Sequence, residues 1–363
     1  MNTTSFTAAL NSVANTAVKR DAKPLASQRL YGAFNNTEGK ILPISEVIEQ
    51  AECNYNVEKQ PLIRVTPDML NAIRMGLPIE GLTERDIIET HCATRREDTN
   101  QTLGIVGADY GVVQNAKAFE FIDHIQKHFG QESIIETAGA LGIGERMYVT
   151  CKLGADFYLD EHKKDAVNNY IIITTTHNGS GAIKILSSPV RVICQNTLNM
   201  ALMRKTDSIS YKHTKNVQER LDYDKIVAKF LENSELYKKD FIDKMTSLRE
   251  TKVSAEGVQD FAARIYLNNE NFEHYLKANR KLDFVEEIST RAKNQIEKLQ
   301  NSIDFGVGQE MYRGSKLWLL NGLTTMLHND IEYKSAEDEF ISLTEGDGLK
   351  KLEKAYAALE LIA

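Results

Sequence analysis

The residues best suited to chemistry lie between positions 104 and 205. His177 stands at the edge of an apolar run and is followed by Asn178, Gly179, Ser180 and Gly181. An imidazole beside a hydroxyl and an amide has the parts of a nucleophile–base set, but such a set needs mutual geometry, which proximity in sequence does not supply. The backbone amides of Gly179-Ser180-Gly181 are of the kind that cradles an anion. Asn178-Gly179 after a strand reads more economically as a hairpin turn. Gly104, Gly107 and Gly111 have neither the spacing of a dinucleotide fingerprint nor the Gly-Lys-Ser/Thr ending of a phosphate loop, so they read as turn geometry. Glu132, Glu136, Glu145 and Asp156 are metal-ligand types whose spacing fixes no common face, and they read as surface or structural carboxylates. No catalytic residue, metal or cofactor is expected from these patterns.

A basic path is the remaining candidate. Arg146, Tyr148 and Lys152 share the parity of one strand and so share its face. Lys184 and Arg191 follow on a neighbouring strand-rich segment, and Arg204 and Lys205 come after the next helix. Together with Asn178 and Gln195 these residues could form a narrow groove for nucleic-acid phosphates, with the Tyr148 ring set against a base. The competing reading is the polar face of a half-covered sheet.

Net charge constrains this only weakly. The chain has 363 residues with 44 Lys+Arg against 51 Asp+Glu, a formal charge of −7. That opposes an indiscriminately basic surface but permits a local groove. Cys53, Cys92, Cys151 and Cys194 are widely spaced with no CxxC pair, which favours buried thiols over a disulfide scaffold or a zinc site. No window reads as a membrane span and the start lacks the pattern of a secretory signal, so a cytoplasmic location is expected.

The elements that must position these residues fall into unlike parts. Residues 1–60 read as a mixed N-terminal extension, with an amphipathic helix over Thr7–Lys19 and a helix start capped at Ser45. Residues 61–204 read as an α+β core. In it, strands are expected over 62–65, 103–107, 110–113, 134–141, 146–153, 170–176 and 182–186, with Ser187-Ser188-Pro189 interrupting the last. One helix is expected from Asn115 to Gly130, and another over 196–203. The polar run from Arg95 to Asn100 reads as exposed. The order is an antiparallel meander of three or four strands flanked by helices rather than regular βαβ units. Residues 205–305 read as a helical insertion or assembly region; over 201–300 the 19 Lys+Arg nearly balance 17 Asp+Glu, as on solvated helix faces. One apolar stripe there runs through Phe284, Ile288, Ala292, Ile296 and Leu299. Residues 306–363 read as C-terminal helices completing the core, including a largely buried one over 316–328.

Several ordered motifs resemble a phage/plasmid-like family built around domain of unknown function 932. They are Leu103-Gly104-Ile105-Val106-Gly107 with Tyr110-Gly111-Val112-Val113-Gln114-Asn115, then Glu136-Thr137-Ala138-Gly139, Thr176-His177-Asn178-Gly179-Ser180, and Pro189 through Leu198. Trp318, Asn321, Thr324 and His328 add a late helix, so the resemblance covers roughly 60–335. The order of elements over 115–204 is also similar to that of Rad52-like single-strand annealing proteins. This resemblance implies a non-catalytic protein that binds or anneals single-stranded DNA along Arg146, Tyr148, Lys152, Asn178, Lys184, Arg191 and Arg204, and that forms homo-oligomers. The alternative is a mobile-element accessory or host-defence-evasion protein that acts through protein–protein contacts, with the helical region as its working surface. A nuclease-like enzyme would need a metal constellation that the spacing does not provide.

Overall fold

The computed structural model describes residues 34–36, 38–79, 81–130, 133–159, 166–191, 208–305, 312–335, 338, 341–343 and 346–362 of the 363. The expected helices over Thr7–Lys19 and 196–203 lie outside the described residues. In chain order the strands are β1 (Phe34–Asn35), β2 (Val57–Ile63), β3 (Ile87–Arg96), β4 (Thr102–Gly107), β5 (Ser133–Leu141), β6 (Arg146–Tyr158), β7 (Ala166–Thr176), β8 (Ile183–Arg191) and β9 (Ser208–Tyr211). They form a six-stranded sheet in the order β1-β5-β6-β7-β8-β9 and a three-stranded sheet in the order β2-β3-β4, antiparallel throughout.

Alternation along the strands sorts the large sheet into two faces. Met147, Val149, Cys151 and Leu153 of β6, Ile171 and Ile173 of β7, and Ile183 and Ile185 of β8 join one hydrophobic core. Helices α1 (Ile44–Gln50), α3 (Asn115–Phe119) and α4 (Phe121–Phe129) cover that face with Val47, Phe119, Phe121, Ile122 and Ile125. The fold is therefore α+β, an antiparallel meander flanked by helices, with a helical C-terminal part. The meander is wider than the three or four strands expected because β1 and β9 add themselves at its two edges. Residues 34–63 supply β1, α1 and β2, so this stretch of the expected extension is built into the α+β unit.

Several local expectations change for physical reasons. β8 runs through Pro189 instead of breaking there. Pro189 pairs with Asn169 of β7, whereas β9 reaches only Ile183–Leu186, so the missing N–H falls where no second neighbour needs it. Tyr110–Val113 is not a strand: Gly111 N donates to the His213 carbonyl at 3.1 Å and Tyr110 stacks on the His213 ring. The helix from Asn115 is interrupted at Glu120, which keeps right-handed helical dihedrals, and ends at Gly130 with φ +60. Ser45 does not cap α1. The helix starts at Ile44, whose N–H is satisfied by Asp123 Oδ1 of α4 at 3.1 Å. Arg95 and Arg96 lie on β3, a strand hidden by its charges, of which only Cys92, Ala93 and Thr94 are buried.

The C-terminal helices build a second core. α5 (Tyr223–Glu250) gives Ile226 and Phe230 to the first core and Phe241, Met245 and Leu248 to the second. α6 (Ala255–Tyr266), α7 (Asn269–Lys277), α8 (Thr290–Phe305), α9 (Lys316–Thr325) and α10 (Asp347–Leu361) complete the second core. α9 is buried on every side, as its run of Leu317, Trp318, Leu319 and Leu320 requires. Among the described residues no helix is long and apolar enough to cross a membrane. The expected stripe from Phe284 to Leu299 divides: Ile288, Ile296 and Leu299 are buried, but Phe284 precedes α8 in a short 3₁₀ turn and is 74% exposed. Ile296→Ala should therefore cost about 2–5 kcal/mol, whereas Phe284→Ala should stay within about 0.5 kcal/mol. Urea unfolding of the two variants measures the contrast, and equal losses would contradict this division.

Candidate functional site

The turn after β7 is built by its own side chains. Asn178 Oδ1 accepts from Ser180 N at 3.0 Å and from Ser180 Oγ at 2.6 Å, and Gly179 takes φ +78, where a side chain is strained. This is the hairpin read from Asn178-Gly179. Its first residue, His177, is fully buried. His177 Nε2 lies 2.7 Å from Asn115 Oδ1, while Asn115 Nδ2 donates to the Cys53 carbonyl at 2.9 Å. The amide nitrogen of Asn115 is thus committed as a donor and its oxygen can only accept. The proton of His177 must therefore sit on Nε2, leaving Nδ1 as a bare lone pair with no hydrogen-bond partner. Burial drives the His177 pKa from 6.5 down to about 3, with His213 adding a smaller push in the same direction.

The same few residues clamp the two sheets together. Thr94 Oγ1 of β3 donates to the His177 carbonyl at 2.6 Å, and His177 N donates to Glu145 O at 2.7 Å. Gln114 makes two hydrogen bonds with the Val57 backbone, each 2.9 Å. Gly104 of β4 faces the turn so closely that a Cβ there would lie 2.6 Å from the Asn178 Cα, so only glycine permits this contact. Tyr110 hydroxyl donates to Thr176 O at 2.7 Å. Chemically the arrangement holds a histidine neutral and fixed; it does not place a hydroxyl or thiol on the free Nδ1. Asn115, Thr94 and His213 were absent from the sequence-based site. Asn115 reads as a helix N-cap in sequence, but the N-cap position falls on Gln114, whose side chain makes no capping bond, and the Asn115 side chain turns to His177.

The basic path is only partly assembled. Arg146, Tyr148 and Lys152 do share one face of β6, and pairing of both Tyr148 and Lys184 with Thr174 puts Lys184 on that same face. Asn178 stands at its hairpin end, and Arg146 Nη2 reaches Ser180 Oγ at 3.5 Å. Tyr148, however, is fully buried and lies across Gly139, which would put a Cβ 3.1 Å from the Tyr148 hydroxyl oxygen. It presents no ring for a base to stack on. Arg146 is 2% exposed and is likewise an interior residue. Arg191 pairs with Val167 and has the strand parity of Ile183 and Ile185, opposite to Lys184, so the two do not share a register set. Arg204, Lys205 and Gln195 lie outside the described residues. Lys152 and Lys184 are half-buried.

Around them the face is a buried polar layer, more deeply covered than a half-covered sheet. Thr137 and Thr150 hydroxyls meet at 2.6 Å, and Tyr170 donates to Glu136 at 3.2 Å. Of the four carboxylates, Glu136 serves Tyr170 and Glu145 accepts from Ile143 N at 2.7 Å, while Glu132 and the Asp156 side chain lie outside what is described. Among the described residues no group of three or more His, Cys, Asp or Glu could hold a metal ion. Cys53, Cys92 and Cys151 are buried free thiols, with burial pushing Cys53 up to about 12; Cys194 lies outside the described residues.

A further feature lies between β2 and β3. Residues 63–88 form an arm closed at its neck by Arg64 and Asp86, whose side chains meet at 2.7 Å and whose backbones pair N to O at 2.7 Å. Helix α2 (Pro67–Arg74) is capped by Thr66 and has proline where the first turn accepts it, yet none of its residues is buried. Leu70, Ile73, Met75 and Leu77 are all exposed, Met75 at 67%, as are Ile63, Val65, Ile79, Leu82, Ile87 and Ile88. The sequence signal was a helical period at Leu70 and Ile73 in a segment dense in apolar residues.

The family model for a domain of unknown function, DUF932, matches residues 102–345, and the chain belongs to that family. No curated protein and no solved structure matches the chain. The matched span begins at β4 and contains His177, Asn115 and helices α5 to α9, whereas α10 lies after it and the arm wholly before it.

The clamp predicts acid sensitivity. Between about 3 and 6.5 the unfolded chain binds a proton that folded His177 refuses, so stability rises with pH across this window and falls on acidification. One such group lowers stability by about 2 kcal/mol between about pH 7 and about pH 5. Urea midpoints should show a shallower pH dependence for His177→Gln than for the parent chain; identical slopes would show that His177 titrates normally.

Proposed function

We propose that this DUF932 protein is a binding protein that assembles with a second copy of itself through the arm at residues 63–88. The supporting observation is the set of ten large apolar side chains exposed on that one segment. Isolated exposed apolar residues are ordinary, but so many on one short segment favour an interaction surface. A locally ordered arm, with Thr66 capping its helix and Arg64 closing its neck, gives up little conformational freedom on docking. The arm also carries both signs of charge in exposed positions, with Asp68 and Glu84 against Arg74 and Arg85. A two-fold related copy can therefore oppose unlike charges around an apolar centre, as an isologous interface demands. This is the protein-contact reading of the sequence, with its working surface moved from the helical region to the arm.

A second reading is single-stranded DNA binding in the recombination of a mobile element such as a phage or plasmid. It rests on Lys152 and Lys184, which share a sheet face, with Lys184 on the strand that leaves the exposed Ser180 turn. Phosphate attraction would then carry the binding, and affinity would fall with salt.

Light scattering of the full chain at micromolar concentration tests the first reading. The parent should exceed one protomer in mass, and Ile73→Asp with Leu77→Asp should return it to a monomer with unchanged circular dichroism. A monomeric parent, or a variant that still assembles, would overturn arm-mediated assembly. Fluorescence anisotropy with a labelled oligothymidylate tests the second: Lys152→Glu with Lys184→Glu should weaken binding at low salt and lower the salt slope by about 2, one per phosphate contact.

A further inference from the structure

A groove on the second core has a composition unlike the surface around it. α10 contributes Lys354, Ala357, Ala358 and Leu361, the i, i+3, i+4, i+7 set that lies along one helix face. Opposite stand Arg264, from the last turn of α6, and Phe272 of α7. The groove holds about 370 Å³, within the size range of small-ligand sites. Two alanines where larger side chains would fill the space create the depression, and Leu361 is 67% exposed at its end.

The polar side of this groove is uncompensated. Arg264 Cζ sits 4.1 Å above the Phe272 ring, so the guanidinium lies on an aromatic face. Its Nε is shielded from solvent without a hydrogen bond, and Arg264 makes no ion pair among the described residues. Lys354 Nζ reaches only the Ile265 carbonyl, at 3.4 Å. Among the described residues that line the groove there is no carboxylate, and Glu360 points instead to Lys244 at 3.5 Å. Lys351, one turn before Lys354, has its ammonium pushed below the usual lysine range by burial; the Asp347 carboxylate opposes that shift, and Arg291 and Lys354 add like-charge repulsion. A stacked guanidinium with its fork unfilled, next to an ammonium and an apolar floor, matches a carboxylate on a hydrocarbon chain.

We propose that the groove between α6, α7 and α10 binds an aliphatic monocarboxylate, its carboxylate held by Arg264 and Lys354 and its chain lying over Ala357, Ala358 and Leu361. The Arg264 fork would supply two parallel hydrogen bonds. The site is independent of the arm and of the sheet lysines. It lies on helices that also pack the second core, so binding would stabilise that half of the chain.

Titration calorimetry of the full chain with octanoate tests this, with octan-1-ol as the chain without the charge and acetate as the charge without the chain. Octanoate should bind saturably at one site per chain, and both controls should bind at least about tenfold more weakly. Arg264→Met, which keeps the stem over Phe272, and Lys354→Met, on an exposed position, should each weaken octanoate by about three- to tenfold. Ala357→Phe should abolish binding by filling the groove while leaving the unfolding midpoint unchanged. N-acetyl-alanyl-leucine, compared with octanoate, separates a protein C-terminus from a free fatty acid as the source of the group: the tighter binder assigns it. The proposal is overturned if millimolar octanoate shows no saturable binding, if octan-1-ol binds equally well, or if Lys354→Met and Ala357→Phe both bind like the parent chain.

Discussion

The hydrogen bond between His177 and Asn115 is the constraint on which the α+β half depends. It joins the end of a central strand to the start of the helix that covers the core, across 62 residues of chain. Asn115 can make it only because its amide nitrogen is already committed to the Cys53 carbonyl, which in turn requires the segment before β2 to lie in place. His177 meets the cost of burial by staying neutral, and its carbonyl is claimed by Thr94. One buried imidazole therefore ties α3, the small sheet and the hairpin turn to a single arrangement. A buried polar group that is partly satisfied in this way specifies geometry more than it adds stability.

Much of this was legible as pattern and little of it as partnership. The period-two runs of β5, β6 and β7 and the turn at Asn178-Gly179 could be read because they depend on neighbouring residues. The common face of Arg146, Tyr148 and Lys152 was read correctly for the same reason. Its burial was not, because alternation says which residues share a face and nothing about what covers that face. Tyr148 illustrates the difference: its even spacing from Arg146 suggested an exposed ring, while the decisive fact is Gly139 on the adjacent strand, which has no side chain to keep the ring from lying flat against β5. β3 escaped notice because Glu89, His91, Arg95 and Arg96 dominate its composition, although its pairing with both neighbours runs along most of its length.

The motifs that carry the family resemblance now have physical work. Gly104 yields space to the turn, Gln114 bonds the Val57 backbone at both its ends, Asn115 orients His177, and Gly139 receives Tyr148. These are assembly contacts of the fold, and residues shared for that reason do not by themselves identify a ligand. The family span begins at β4, so the arm lies before it, as do β2 and β3, which complete the small sheet with β4.

The arm is joined to the clamp through β3. β3 leaves the arm at Ile87 and reaches Thr94 seven residues later, a distance of about 23 Å for an extended strand. Thr94 then holds His177 O at 2.6 Å, and two residues further Arg96 bonds the Ile143 carbonyl at 3.2 Å while its guanidinium covers the Tyr55 ring at 3.7 Å. The strand is thus fixed at both tight turns of the large sheet, β5–β6 and β7–β8. The Arg64–Asp86 pair closes the arm at the end of that strand, so β3 sets where the arm's root lies relative to the sheet. An apolar tip on a flexible tether would give adhesion without orientation. This one is mounted on a strand anchored by Thr94 and Arg96, so its root takes its orientation from the large sheet.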